Sequence, residues 1–169
     1  QSLITVGINT GLRIRAEALL LRWNDVDFQR GLVTVQAAYA KNGKTRSVPL
    51  NSRAKEALKE LRKGTSGEYV FSQSNGRPYK SMEKPFTAAC KAAKLAGTGV
   101  TLHTLRHTFA SRLAMAGVDL KTIMELGGWS DLSMVQRYAH LSPNHKREAI
   151  EKIVPEFHNA IHNTALSAV

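Results

Sequence analysis

The chain has 169 residues, of which 43% are hydrophobic, enough for one domain with a single core and too many for a disordered segment. A formal net charge of +11, with a sequence pI near 10.1, points to a polyanionic partner, nucleic acid ahead of a membrane surface. No apolar run is long enough to span a bilayer, no signal peptide opens the chain, and a single cysteine, Cys90, excludes an internal disulfide and a second thiol for a metal site.

Gln1 stands where a helix is already under way, without a Met, so the chain is expected to be a piece whose upstream part has been removed. Ser2 to Asn9 is apolar and is predicted to end that helix, and Gly11 turns the chain in the run T-G-L-R. Ala16 to Trp23 holds strong helix formers and is predicted helical, ended by Asn24-Asp25. Val26 to Phe28 and Leu32 to Ala38 are predicted strands around a turn at Gln29-Arg30-Gly31, with period-two alternation in V-T-V-Q-A. Asn42-Gly43 is a hairpin signature, and Thr45 to Pro49 returns as a third strand.

Asn51 or Ser52 caps a helix to about Lys63, with Ala54, Leu58 and Leu61 on one face. Tyr69 to Ser72 is a short extended piece, followed by a turn over Ser74 to Pro78. Ser81 to Leu95 is a predicted helix with Cys90 as a small buried residue, and Gly97 to Gly99 is a loop. His103 to Ala116 forms a helix ended by Gly117; Asp119 caps a short one through Leu126, ended by Gly127-Gly128. Leu132 to His140 is the predicted helix that carries Tyr138, Pro143 opens a last helix through Ile153, and the tail from Phe157 is weakly patterned. The sum is an α+β domain, mainly helical, with one small antiparallel three-stranded sheet.

Several residues have chemistry to offer. Arg13 follows a glycine at the mouth of a helix, where a guanidinium can hold a phosphate in a bidentate grip; Arg15, two residues on, competes for that role. Any lone arginine is more often a solvated surface group. Glu17 suits a supporting role, orienting an Arg or His, about as well as ordinary helix capping. Lys41 at a hairpin tip can act as a general acid, although most hairpin lysines only protect an edge. From Lys41 to Lys63 there are eight Lys/Arg against Glu56 and Glu60, so this block, with Lys44 and Arg46, reads as a phosphate-facing surface; a solvated helix face would look similar.

His103 and Arg106 lie one helical turn apart and share a face, so an imidazole can take a proton while the guanidinium clamps phosphate oxygens. A hydrogen-bonded structural histidine is the plainer reading of His103 alone. His107 is assigned to the next face as a buttress. Trp129, by pattern a core residue, is a donor only. Tyr138 is one of four tyrosines, and a phenol with a pKa near ~10 is a poor nucleophile unless assisted.

Taken together, T-G-L-R, K-N-G-K-T-R-S-V-P-L, H-T-L-R-H-T, L-G-G-W-S-D and V-Q-R-Y-A-H-L resemble the catalytic domain of the tyrosine recombinases, the phage-integrase family, from Thr10 to Pro143. Each motif is weak; five in order are specific. The resemblance implies the catalytic set Arg13, Lys41, His103, Arg106, Trp129 and Tyr138, with Tyr138 as nucleophile. Trp129 stands at a position that also takes histidine, and one residue more than in the commonest pattern separates Arg13 from Glu17.

What the resemblance implies is site-specific DNA recombination or integration by a mobile-element enzyme, cytoplasmic and bacterial or phage-encoded. Tyr138 attacks a phosphodiester, a 3′-phosphotyrosyl link forms, and a 5′-hydroxyl later reverses the step. Arg13 and Arg106 offset the growing charge in place of metal ions, Lys41 protonates the leaving oxygen, and His103 helps Tyr138 lose its proton. No cofactor and no metal are expected. The partner is double-stranded DNA, with tetramers on DNA for the full-length protein. An N-terminal core-binding domain is expected to be missing, and the tail 156–169 to exchange between neighbours. A type IB topoisomerase and a non-catalytic DNA-binding protein that keeps the fold are the alternatives. A metal nuclease is disfavoured because the carboxylates do not cluster.

Overall fold

The computed structural model describes residues 1–40, 43–65, 67–142, 150 and 153, and within them the chain is mainly helical with one small antiparallel sheet, as the patterns predicted. Helix α1 (Ser2–Thr10) buries Leu3, Val6, Gly7 and Thr10, the spacing of one helical face. It stops at Gly11, whose φ of +66° is a left-handed conformation. A side chain there would also collide with Phe109, 2.4 Å from an added Cβ, so only glycine lets the chain turn this close to the next layer.

The predicted helix over Ala16 to Trp23 does not form. Residues 14–17 make a turn, and only Ala18–Leu20 and Trp23–Asp25 take single 3-10 turns. Tertiary pairing overrides propensity: the Val70 N–H donates to the Leu21 carbonyl (2.9 Å) and the Trp23 N–H to the Glu68 carbonyl (3.0 Å). The residues between them are thereby held extended.

Strand β1 (Val26–Asp27) pairs with β2 (Leu32–Val35), which pairs with β3 (Arg46–Pro49), all antiparallel and in the order β1-β2-β3. The register sets Val33 against Val48 and Val35 against Arg46. Strand β2 ends three residues short of the predicted Ala38, because the Tyr39 and Ala40 N–H groups both turn back to the Gln36 carbonyl. The connection to β3 is therefore longer than a tight hairpin. Lys41 and Asn42 lie outside the described residues.

Helix α2 (Ser52–Lys63) is capped by the Asn51 side chain, which accepts from the Ala54 N–H at 2.9 Å. Helix α3 (Glu83–Ala92) is shorter than the predicted Ser81 to Leu95 and buries Phe86; its Cys90 is half-buried against the main core. Helix α4 (Leu102–Met115) packs on α1 and on the helix that follows it. Helix α5 (Leu120–Gly127) is capped by Asp119, as predicted, and ends at Gly128. Helix α6 is only Ser133–Gln136; Tyr138 follows on a turn and a 3-10 turn covers Ala139–Leu141, instead of one helix to His140. The predicted last helix lies almost wholly outside the described residues, and so does the tail 156–169.

Two cores result. The larger joins α1, the sheet, α2, α3 and the start of α4; the smaller joins the rest of α4 with α5, Val135 and Tyr138. The candidate site lies where they meet. Among the described residues no helix is long and apolar enough to cross a membrane.

Candidate active site

Helix α5 runs into the site with its C-terminal end, and that end organises three arginines. Its last carbonyls have no partners inside the helix and carry the negative end of the helix dipole. Arg46 Nε donates to the Leu126 carbonyl (3.2 Å), Arg106 Nη1 to the Gly127 carbonyl (2.6 Å) and Arg13 Nη2 to the Gly128 carbonyl (3.1 Å). Arg106 Nη1 also reaches the Gly11 carbonyl at 2.7 Å, which ties α4 to the turn after α1.

Glu17 is the carboxylate among these cations and is 2% exposed. It accepts from the Arg13 backbone N–H (2.9 Å) and Arg13 Nη1 (2.7 Å), and in a two-pronged contact from Arg46 Nη1 (3.1 Å) and Nη2 (2.8 Å). Burial opposes its ionisation, but hydrogen bonds and charge from Arg46 and Arg13 outweigh that and hold the carboxyl below its ordinary range. The extra residue between Arg13 and Glu17 is absorbed by the turn over 14–17, in which the Glu17 N–H donates to the Arg13 carbonyl at 2.8 Å.

Of the two competing arginines, Arg13 joins this cluster, whereas the Arg15 side chain is 69% exposed and lies 3.5 Å from Glu83, lining the same cleft as Arg13 without joining the cluster. Arg46, expected on a DNA-facing surface, instead turns inward onto Glu17. The strand period explains this: Arg46 lies two residues before Val48 and so shares its buried face. Lys44 is exposed.

Arg106 is 1% exposed. Burial first, and then the charge of Arg13, lowers it to about 9, so it remains a cation at neutral pH. Its guanidinium carbon lies 3.8 Å from the centre of the Trp129 ring, a cation–π contact. Trp129 is thus a packing group between Arg106 and the Tyr138 ring, whose centre is 6.2 Å from its own. Gly127 makes room for the indole, since an added Cβ would lie 1.9 Å from the Trp129 ring.

Tyr138 is docked. It is 5% exposed, and its hydroxyl lies 2.5 Å from Nδ1 of His107. Burial raises the phenol pKa against the charges of Arg137 and Arg106, so the hydroxyl stays protonated. This placement corrects the expectation for His107. Residues four apart share a helix face, and His107 stacks edge-on against His103 with ring centres 4.7 Å apart. His103 sits at the rim, where it lines a cleft of about 560 Å³ together with Arg13 and Arg106. Its pKa is lowered, first by lost hydration and then by His107, Arg106, Arg13 and Arg137. The sequence reading overlooked Arg137, whose position beside Tyr138 was the available signal.

Arg13, His103, Arg106, Trp129 and Tyr138 therefore converge, with Glu17 and His107 in contact with them, while Lys41 lies outside the described residues. Residues 1–145 match the phage integrase family. The chain is similar to the integrase of Salmonella phage P22, with 33% identity over 177 residues that cover 99% of this chain and 46% of that protein. It is likewise similar to the tyrosine recombinase XerA of Pyrococcus furiosus, with 34% identity over 148 residues, 85% of this chain and 50% of that one. Among solved structures, the XerH site-specific recombinase bound to a palindromic difH substrate in a post-cleavage complex aligns with a TM-score of 0.71 and 25% identity, over 89% of this chain and 44% of that one. The chain spans about half the length of the curated relatives it matches.

Proposed function

This chain belongs to the phage integrase family, and from that membership we propose that it cleaves and rejoins DNA through a 3′-phosphotyrosyl link to Tyr138, as the catalytic part of a site-specific recombinase. The observation that carries the reading is the docked phenol beside a cation that still has a donor to give. Arg106 lines the cleft, and its Nη2 is buried with no hydrogen-bond partner among the described residues. A non-bridging phosphate oxygen would supply that partner, and a buried unpaired donor is otherwise costly.

In this mechanism the Tyr138 oxygen bonds to phosphorus and the bond from phosphorus to the 5′-oxygen breaks. Arg13 and Arg106 offset the charge that gathers on the non-bridging oxygens, from positions set before the DNA arrives. His103, at the mouth of the same cleft, adds a donor to the phosphate. Lys41 is assigned the general acid that protonates the 5′-oxygen. The phosphotyrosyl link conserves the energy of the bond broken, so a second 5′-hydroxyl can reverse the step.

The DNA-bound state of the similar XerH supports DNA as the partner, as does the net charge of +11. In the same reading the longer protein carries a further DNA-clamping domain, works in the cytoplasm, and assembles as a tetramer on DNA, with the tail 156–169 exchanged between neighbours. The test is a nicked suicide duplex resolved on a denaturing gel. The wild-type chain should yield a covalent DNA adduct, and Tyr138→Phe should yield none while shifting the duplex equally in a native gel. An adduct that persists in Tyr138→Phe, or wild-type cleavage without an adduct, overturns the assignment.

A further inference from the structure

The contact between His107 and Tyr138 assigns the first proton transfer. Resting on the phosphotyrosyl reading, we propose that His107, and not His103, is the catalytic residue that takes the proton of Tyr138 through its Nδ1 atom. Nδ1 already stands 2.5 Å from the phenol oxygen, within the range for a general base. Tyr138 is buried and His107 half-buried, so the pair is partly sheltered from bulk water. His103 faces the cleft beside Arg13 and Arg106, the place for a ligand to the phosphate.

The charges around the pair hold the imidazole neutral before the transfer and offset the phenolate, while they oppose the imidazolium. Those facing it are His103 and Arg106 from α4 and Arg137 from the turn after α6, with uncharged Trp129 completing the wall. Burial first, and then Arg137 and Arg106, keeps His107 below its ordinary pKa and therefore neutral at pH ~7. A neutral imidazole with hydrogen on Nε2 presents a lone pair at Nδ1 to the phenol. The same arginines stabilise the phenolate as it forms. The step balances: the Tyr138 O–H bond breaks, the proton goes to Nδ1, the phenol oxygen forms the bond to phosphorus, and the 5′-oxygen leaves with a proton from Lys41. On rejoining, the imidazolium returns its proton to the departing tyrosine.

Two measurements test this. In the 15N-histidine-labelled 169-residue chain without DNA, NMR at pH ~7.5 should show His107 with hydrogen on Nε2 and a hydrogen-bonded Nδ1. Hydrogen on Nδ1 would make His107 the donor and overturn the proposal. In single-turnover adduct formation, His107→Gln keeps an acceptor oxygen near the phenol but cannot take a proton. It should be slower by about 100-fold and lose the decline in rate that the wild type shows as pH falls through the lowered His107 value, on the acid side of the ordinary imidazole value near ~6.5. His103→Gln should retain that decline. A His107→Gln protein with the wild-type rate and the same acid decline, or one that is faster, overturns the assignment. Failure of the phosphotyrosyl reading would look different, as absence of an adduct from the wild type, and the tautomer measurement stands in either case.

Discussion

Replacing Glu17 with glutamine should destabilise the protein at neutral pH, because the side chain accepts four hydrogen bonds from two cations. The amide keeps the shape but offers one acceptor oxygen, and its NH2 would face guanidinium donors. It also removes the carboxylate among Arg13, Arg46 and Arg106. Breaking one side of a buried pair costs about 3–5 kcal/mol. The arginine side chains are 18% and 11% exposed, so the lower end applies. For a chain of this size about 3 kcal/mol corresponds to a loss of roughly 6–12 °C in Tm.

The pH dependence has a definite sign. Glu17 has a lowered pKa in the folded protein, so its contribution is complete above the unfolded carboxylate value near ~4.3 and is lost as pH falls through the folded value. Thermal unfolding followed by circular dichroism between pH ~7 and ~3 should show the gap between wild type and Glu17→Gln narrowing on the acid side. A variant within about 1 kcal/mol of wild type at neutral pH, or a gap that ignores pH, would refute the view that this carboxylate holds the arginines.

Gly127→Ala should also destabilise, since its Cβ would meet the Trp129 ring at 1.9 Å. The helix gains about 1 kcal/mol from alanine, and overpacking costs about 1–3 kcal/mol. The indole must leave its place between Arg106 and Tyr138, so a changed tryptophan emission and slower adduct formation should accompany the lower Tm; unchanged emission argues against the packing role. Lys41→Ala should lose cleavage of ordinary DNA and regain it on DNA with a 5′-bridging sulfur, because a thiolate departs without a proton. No recovery removes Lys41 from the acid role.

Much of the frame was legible in local sequence. Asn51 and Asp119 cap α2 and α5 where their types and the following periodicity indicated, and Gly11 ends α1. The failures share a cause. The Ala16 to Trp23 run satisfies helix propensity, yet its backbone pairs with Glu68 and Val70, which no local pattern announces. Tyr138 was expected inside a regular helix, and its approach to His107 and Trp129 instead goes with a turn after α6. Two errors were avoidable: strand alternation already put Arg46 on the face of Val48, and a four-residue step put His107 beside His103.

By itself the sequence determined which chemical groups the chain brings, in what order, and that they amount to a phenol, imidazoles and guanidiniums in a strongly basic domain. Those are properties of residue type and spacing. Only the tertiary structure decided that three arginines share the carbonyl end of one helix and that the phenol rests on His107. The partners there lie 21 to 115 residues apart in the chain, so packing, not periodicity, brings them together.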